Sequence, residues 1–185
     1  NSMGGGIAAR YAMVHPEQLA GLVLIDAAGA PVRRDGGGNL AFTLARVPGV
    51  AQGFSAILPR SLIERSLRQS VSNQAVVTPA AVDRYWELAR YPGNRAATLA
   101  RFSQMPQPFT PAQMARIGAP TLILWGAEDR LIPAAASDWF VRHIRGARAI
   151  IYPGIGHLPM EEAADRTAAD VEAFLAASSQ AESGG

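Results

Sequence analysis

Three short stretches hold residues whose types and spacing suit nucleophilic chemistry. The first is Ser2-Met3-Gly4-Gly5, leading straight into a helical pattern. A serine nucleophile needs a sharp turn whose neighbours two positions away are small, so that its hydroxyl stands clear of the backbone. The pattern is G-x-S-x-G, and its first glycine would precede Asn1. The helix after such a turn aims its dipole and free N–H groups at a developing oxyanion, and the Met3 N–H is the obvious donor. The same serine also suits a helix cap ahead of a flexible Gly4–Gly6. The second stretch is Gly126-Ala127-Glu128-Asp129, directly after a buried strand and with Pro133 soon behind. A carboxylate there can reach an imidazole on the next such loop, and taken alone it is equally a turn residue or a helix cap. The third runs from Gly154 through Gly156 and His157 to Glu162, again after a strand. A histidine in a glycine-rich loop at a strand end is placed to accept a serine proton, although a lone loop histidine is usually just surface. His15 and His143 sit at helix ends without glycine neighbours and read as structural.

The elements that must position these residues are legible from periodicity. Residues 4–15 read as a helix with Ile7, Tyr11 and Val14 on one face, ended by Pro16. Leu19 to Ala27 contains a continuous apolar run that suits a strand buried on both faces, as in a parallel sheet. Residues 31–115 change character, with Gly36–Gly38, many Pro and Arg, and helical segments near 40–47, 60–72, 79–90 and 94–104; they read as a helical insertion. Thr121–Trp125 and Ala147–Tyr152 are strands with a short helix at Ser137–Arg145 between them. Residues 161–177 form a last helix whose acidic first turn suits the macrodipole, and 179–185 read as a loose tail. Strands alternating with helices around a helical interruption mean an α/β fold with a parallel sheet: a core of 1–30 and 116–178 and a cap of 31–115.

Composition narrows the function classes. The chain has 185 residues and a net charge of +2, with 49% apolar and 17% charged residues, which is enough for a core and excludes disordered and fibrous classes. No apolar run reaches the roughly 18 residues of a membrane helix. Without cysteine there is no disulfide, thiolate metal site or cysteine nucleophile, a composition compatible with a cytoplasmic protein. All 17 basic residues are Arg, unclustered and nearly balanced by 15 acids, so nucleic acid is not an expected partner. No metal cluster, phosphate loop or dinucleotide fingerprint implies a cofactor.

Taken together, N-S-M-G-G, W-G-A-E-D-R-L-I-P and P-G-I-G-H-L-P-M-E-E, in the order Ser…Asp…His and each beyond a strand end, resemble the α/β-hydrolase superfamily. The resemblance covers residues 1–30 and 119–177 and implies the C-terminal part of that fold, starting at the nucleophile elbow. It implies Ser2 as nucleophile, His157 as base and acid, Asp129 as the acid that fixes the imidazole, and Met3 as one oxyanion donor. Asp26, at the end of LVLID, is the rival acid, since some members place their carboxylate there. A serine elbow excludes dehalogenases and epoxide hydrolases of this fold, which use aspartate. The strands and oxyanion loop that precede the elbow in the family are not in this sequence. The chain alone is therefore expected to be nearly inactive, because one lost oxyanion donor costs about 2.7–4 kcal/mol.

The substrate implied is a small molecule. The leading reading is a carboxylic-ester hydrolase for a small or medium apolar ester. The alternative is a carbon–carbon bond hydrolase of the meta-cleavage type, which Asn1 and the N-S-M-G-G run resemble, although Leu158 follows His157 where that group commonly has Trp. A non-catalytic member of the fold is a third reading. Trp86, Phe102 and Met160, and in the same region Phe42, Phe54 and Phe109, are candidates to line an acyl pocket, and Arg95 to meet a substrate carboxylate. The aromatic residues equally suit the interior of the cap. The sequence does not set the oligomeric state.

Overall fold

The computed structural model describes residues 1–32, 58–103 and 107–183. The helix expected over 40–47, with Phe42 and Phe54, lies outside them, as does the side chain of Phe102. Three parallel strands, β1 (Leu22–Ile25), β2 (Thr121–Gly126) and β3 (Arg148–Tyr152), form a sheet in the order β1-β2-β3. Leu22 pairs with Thr121 and Ile25 with Leu124 on one side of β2; Leu122 pairs with Arg148 and Gly126 with Tyr152 on the other. All six residues of β2 are buried. A strand covered on both faces needs an unbroken apolar sequence, and TLILW supplies it.

The helices are α1 (Ser2–Val14), α2 (Arg60–Ser70), α3 (Pro79–Arg90), α4 (Asn94–Ser103), α5 (Pro111–Met114), α6 (Ala135–His143), α7 (Pro159–Glu162) and α8 (Ala164–Ser183). One face of the sheet packs α1, α5 and α6 through Ala9, Ala12, Met114, Trp139 and Phe140 against Leu24, Ile123 and Trp125. The other face packs α8 through Val171 and Phe174 against Leu122, Leu124 and Tyr152. Helices α2 and α3 form a separate apolar cluster of Leu67, Val71, Val77, Ala81 and Val82. Leu158, the residue after His157, packs against this cluster.

Two expectations need correction. The face of α1 bearing Ile7, Tyr11 and Val14 is not its packed face: these residues are 50%, 45% and 62% exposed, whereas Gly5, Ala9, Ala12 and Met13 are buried. The helix lies too close to the loop after β1 for large side chains. A Cβ on Gly5 would stand 2.6 Å from the Ala27 Cβ, and one on Gly6 would stand 2.8 Å from the Ala28 carbonyl oxygen. The last helix is also two helices. Ala163 leaves the helical region (φ −142°, ψ 53°), and α8 then runs to Ser183, past the polar residues read as a tail.

The carboxyl ends of β2 and β3 meet without side chains. A Cβ on Gly126 would fall 1.8 Å from the Gly156 carbonyl oxygen and 2.5 Å from that of Ile155. G126A is expected to destabilise the fold by about 1–3 kcal/mol or more through overpacking. G118A, where a Cβ meets nothing within 4 Å, should leave stability close to wild type. Urea unfolding of the two variants checks the contrast.

Candidate active site

Ser2 opens α1 in a left-handed conformation, φ 51°. A non-glycine residue held there costs about 1–3 kcal/mol and persists only where its surroundings over-determine it. Here the Ser2 carbonyl accepts from the Ala28 N–H at 2.9 Å, and the Gly5 N–H bonds to the Asn1 carbonyl at 3.2 Å. Asn1, not Ser2, is the N-cap, and its side chain makes no cap bond. Its amide donates instead to the carbonyl oxygens of Ile25 (3.3 Å) and His157 (3.1 Å). Asn1 thus ties the turn at Ser2 to the end of β1 and to the histidine loop. No hydrogen bond joins the Ser2 hydroxyl to the His157 ring among the described residues; apo sites often tighten such contacts only around substrate. Met3, in the first turn of α1, has an N–H with no partner inside the helix.

His157 and Asp129 are buried, 5% and 7% exposed, and His157 Nδ1 lies 2.7 Å from Asp129 Oδ2. The other Asp129 oxygen accepts from the N–H groups of Leu131 (2.7 Å) and Ile132 (3.0 Å). Asp129 is therefore both the turn residue and the imidazole's partner. An ionised carboxylate accepts only, so the proton in this contact lies on Nδ1, and the contact leaves Nε2 unused.

Asp26 is fully buried beside this pair and is the second non-glycine residue with positive φ, 42°. Its Oδ1 accepts from the Gly126 N–H at 3.0 Å, while Oδ2 has no partner among the described residues. It makes no hydrogen bond to His157 among the described residues, although an oxygen of each carboxyl and a ring nitrogen lie within 4.8 Å of one another. Burial pushes the Asp26 carboxyl up to about 9, against the Gly126 hydrogen bond, with the negative neighbours Asp129 and then Glu162 adding to the rise. The three side chains are of metal-ligand type, but an ion there would have to part the 2.7 Å hydrogen bond between His157 and Asp129.

A family model described as serine aminopeptidase, S33, matches residues 1–164. The chain belongs to this family of α/β-hydrolases. It is 28% identical over 170 residues to a 2-hydroxy-6-oxononadienedioate/2-hydroxy-6-oxononatrienedioate hydrolase of Comamonas testosteroni, covering 89% of this chain and 57% of the relative. It is 29% identical over 162 residues to a pimeloyl-[acyl-carrier protein] methyl ester esterase of Nitrosomonas europaea, covering 85% and 62%. A solved bacterial membrane phospholipase A superposes with a TM-score of 0.72 at 31% identity, covering 96% of this chain and 56% of that one. The chain thus spans a little over half the length of these relatives. No helix among the described residues is long and apolar enough to cross a membrane.

Within this α/β-hydrolase chain, the other candidate residues sit on α3, α4 and α7 and in the main core. Phe109 is 3% exposed in the main core and packs edge-on to Phe140, so it lines no acyl pocket. Trp86 is half-buried on α3, its indole N–H bonded to the Leu58 carbonyl and its ring under Arg90. Arg95 is half-buried on α4, and Met160 half-buried on α7. The His15 ring lies 4.7 Å from that of Tyr11, and His143 Nδ1 lies 2.7 Å from the Trp139 carbonyl oxygen.

Glu162 was legible only as an acidic first turn, yet it joins the histidine loop to the helical segment. Its Oε1 accepts from the Gly156 N–H at 2.9 Å, and its Oε2 accepts from Ser72 N–H (2.7 Å) and Asn73 N–H (2.8 Å). The His157 N–H itself donates to the Ser70 carbonyl at 2.8 Å. Glu161 meanwhile takes Arg84 and the Tyr85 hydroxyl from α3. A glutamine at 162 keeps one acceptor oxygen and turns an NH2 toward the remaining N–H groups. E162Q is therefore expected to lower stability by ~1–3 kcal/mol, read as a lower midpoint in urea.

Proposed function

We propose that this chain carries the nucleophile, base and acid of a serine hydrolase acting on small or medium apolar carboxylic esters, with residues 1–30 and 116–178 as its core and 31–115 as a cap. The observation that carries the reading is the pairing of a left-handed Ser2 at a helix N-terminus with the buried 2.7 Å His157–Asp129 contact, the two joined through Asn1. In the reaction, His157 Nε2 takes the Ser2 proton as Oγ attacks the acyl carbon. The oxyanion faces the N-terminus of α1, where the Met3 N–H and the helix dipole stabilise it. The tetrahedral species collapses, His157 gives its proton to the leaving alcohol, and an acyl-Ser2 ester remains. Water then repeats the sequence in reverse roles. Asp129 keeps the imidazole in the Nδ1–H tautomer and stabilises the imidazolium. Trp86, Arg95, Phe102 and Met160 are the proposed substrate-side residues, and a further oxyanion donor belongs to a part of the fold beyond this chain.

A second reading is cleavage of a carbon–carbon bond in a dienoate, favoured by the likeness to the Comamonas testosteroni hydrolase and by the Asn1-Ser2 pair. Leu158 weighs for the ester: it packs against the α2–α3 cluster, leaving that position no aromatic face for a planar dienoate.

Steady-state kinetics of the full-length gene product on p-nitrophenyl esters and on a meta-cleavage dienoate separate the two. The ester reading predicts a higher kcat/KM on the esters, with D129N lowering it about 10⁴-fold. A kcat/KM higher on the dienoate moves the assignment to carbon–carbon cleavage.

A further inference from the structure

Asp26 presents a chemical problem that the roles above leave open. Its Oδ2 is buried and unpartnered beside a second buried carboxyl, Asp129. Two adjacent buried carboxylates cannot both stay ionised without a large electrostatic penalty, so a proton must sit on one of them. Asp129 is the better site for the negative charge: Oδ1 already accepts from two backbone N–H groups and Oδ2 from His157, which leaves one lone pair to accept a further donor. Asp26 has Gly126 N–H on Oδ1 and nothing on Oδ2.

We propose that Asp26 is a positioning residue, held as the neutral acid, whose Oδ2–H donates to the Asp129 carboxylate and so fixes the group that orients His157. The proposal rests on Asp129 being the acid of the Ser2–His157 pair. It satisfies the orphaned oxygen, and it turns the rival acid into a partner of the first. The left-handed backbone at Asp26 serves the same end by aiming the side chain of the residue after β1 at the end of β2. Burial and the neighbouring acids raise the Asp26 carboxyl to about 9, consistent with a proton retained at neutral pH. The groups facing it are the Gly126 N–H at the end of β2, Asp129 on the loop beyond, His157 on the loop after β3 and Glu162 on α7. Above about pH 9 the hydrogen bond becomes a pair of like charges and Asp129 loses its brace.

The test uses the full-length gene product, with D26N, D26A and D129N compared for kcat, KM and pH profile on its best ester or dienoate. Asparagine keeps an oxygen for Gly126 and an N–H for Asp129. D26N is expected to keep kcat within about 5-fold and to lose the wild-type fall in kcat above pH 9. D26A is expected to lose kcat about 10–100-fold with little change in KM. Loss in D26N matching that in D129N would overturn the proposal, because Asp26 would then be the ionised acid. D26A with the rate and pH profile of wild type would also overturn it. D129N at the wild-type rate would instead sink the assignment of the acid, and with it this role. Should the variants not fold, NMR of 13C-labelled aspartate carboxyls in the wild type decides. One carboxyl titrating near pH 9 supports the neutral acid, and none titrating above neutrality overturns it.

Discussion

A carboxylate can be kept out of water only where its oxygens are filled by donors, and the site is organised around that demand at Asp129. Two backbone N–H groups and one imidazole meet it. Each of those donors fixes an element: the turn after β2 on one side, the loop after β3 on the other. The imidazole is thereby held through its Nδ1. The sheet register sets the spacing, because Gly126 pairs with Tyr152 and leaves both loops at the same end of adjacent strands. Gly126 then lets the end of β2 touch the backbone of the loop after β3, and Gly156 lets that loop approach Ser70 and Ser72. Removing the acid would leave a buried donor with no acceptor; replacing Gly126 would part the loops that bring donor and acceptor together.

The helical segment enters the same network. The Ser70 carbonyl takes the His157 N–H, Glu162 holds Ser72 and Asn73 together with Gly156, and Leu158 packs among α2 and α3. The histidine loop therefore has two supports, the sheet beneath and the helices above. A displacement of α2 would be felt directly at the backbone of the histidine. Ser2 is held differently, by strain locked between Asn1 and Ala28. Ser2 and His157 are thus set by separate parts of the chain, with the Asn1 amide as the link.

Local chemistry was legible in the sequence and distant contacts were not. Continuous apolar runs gave β1, β2 and β3, and the glycine-flanked Ser2, Asp129 and His157 gave the candidate site, because each signal lies within a few residues. The packed face of α1 was misread because large apolar residues outweigh glycine and alanine in a periodicity argument, while close approach to Ala27 and Ala28 selects the small ones. Glu162 was missed because its partners Ser72 and Asn73 lie 90 and 89 positions away. Phe109 was read with the cap, yet the backbone bond from its N–H to the Gly29 carbonyl draws it into the main core. Asp26 reads in sequence only as a competitor to Asp129, since the orphaned oxygen that changes its role exists only after folding.

The central claim is that Ser2 is a nucleophile activated by His157. Its most direct test is to treat the full-length gene product with a fluorophosphonate and map the adduct by mass spectrometry of proteolytic peptides. A single adduct on Ser2, formed at neutral pH and abolished in H157A, is the predicted result. Labelling elsewhere, or no labelling of a folded protein, would contradict it.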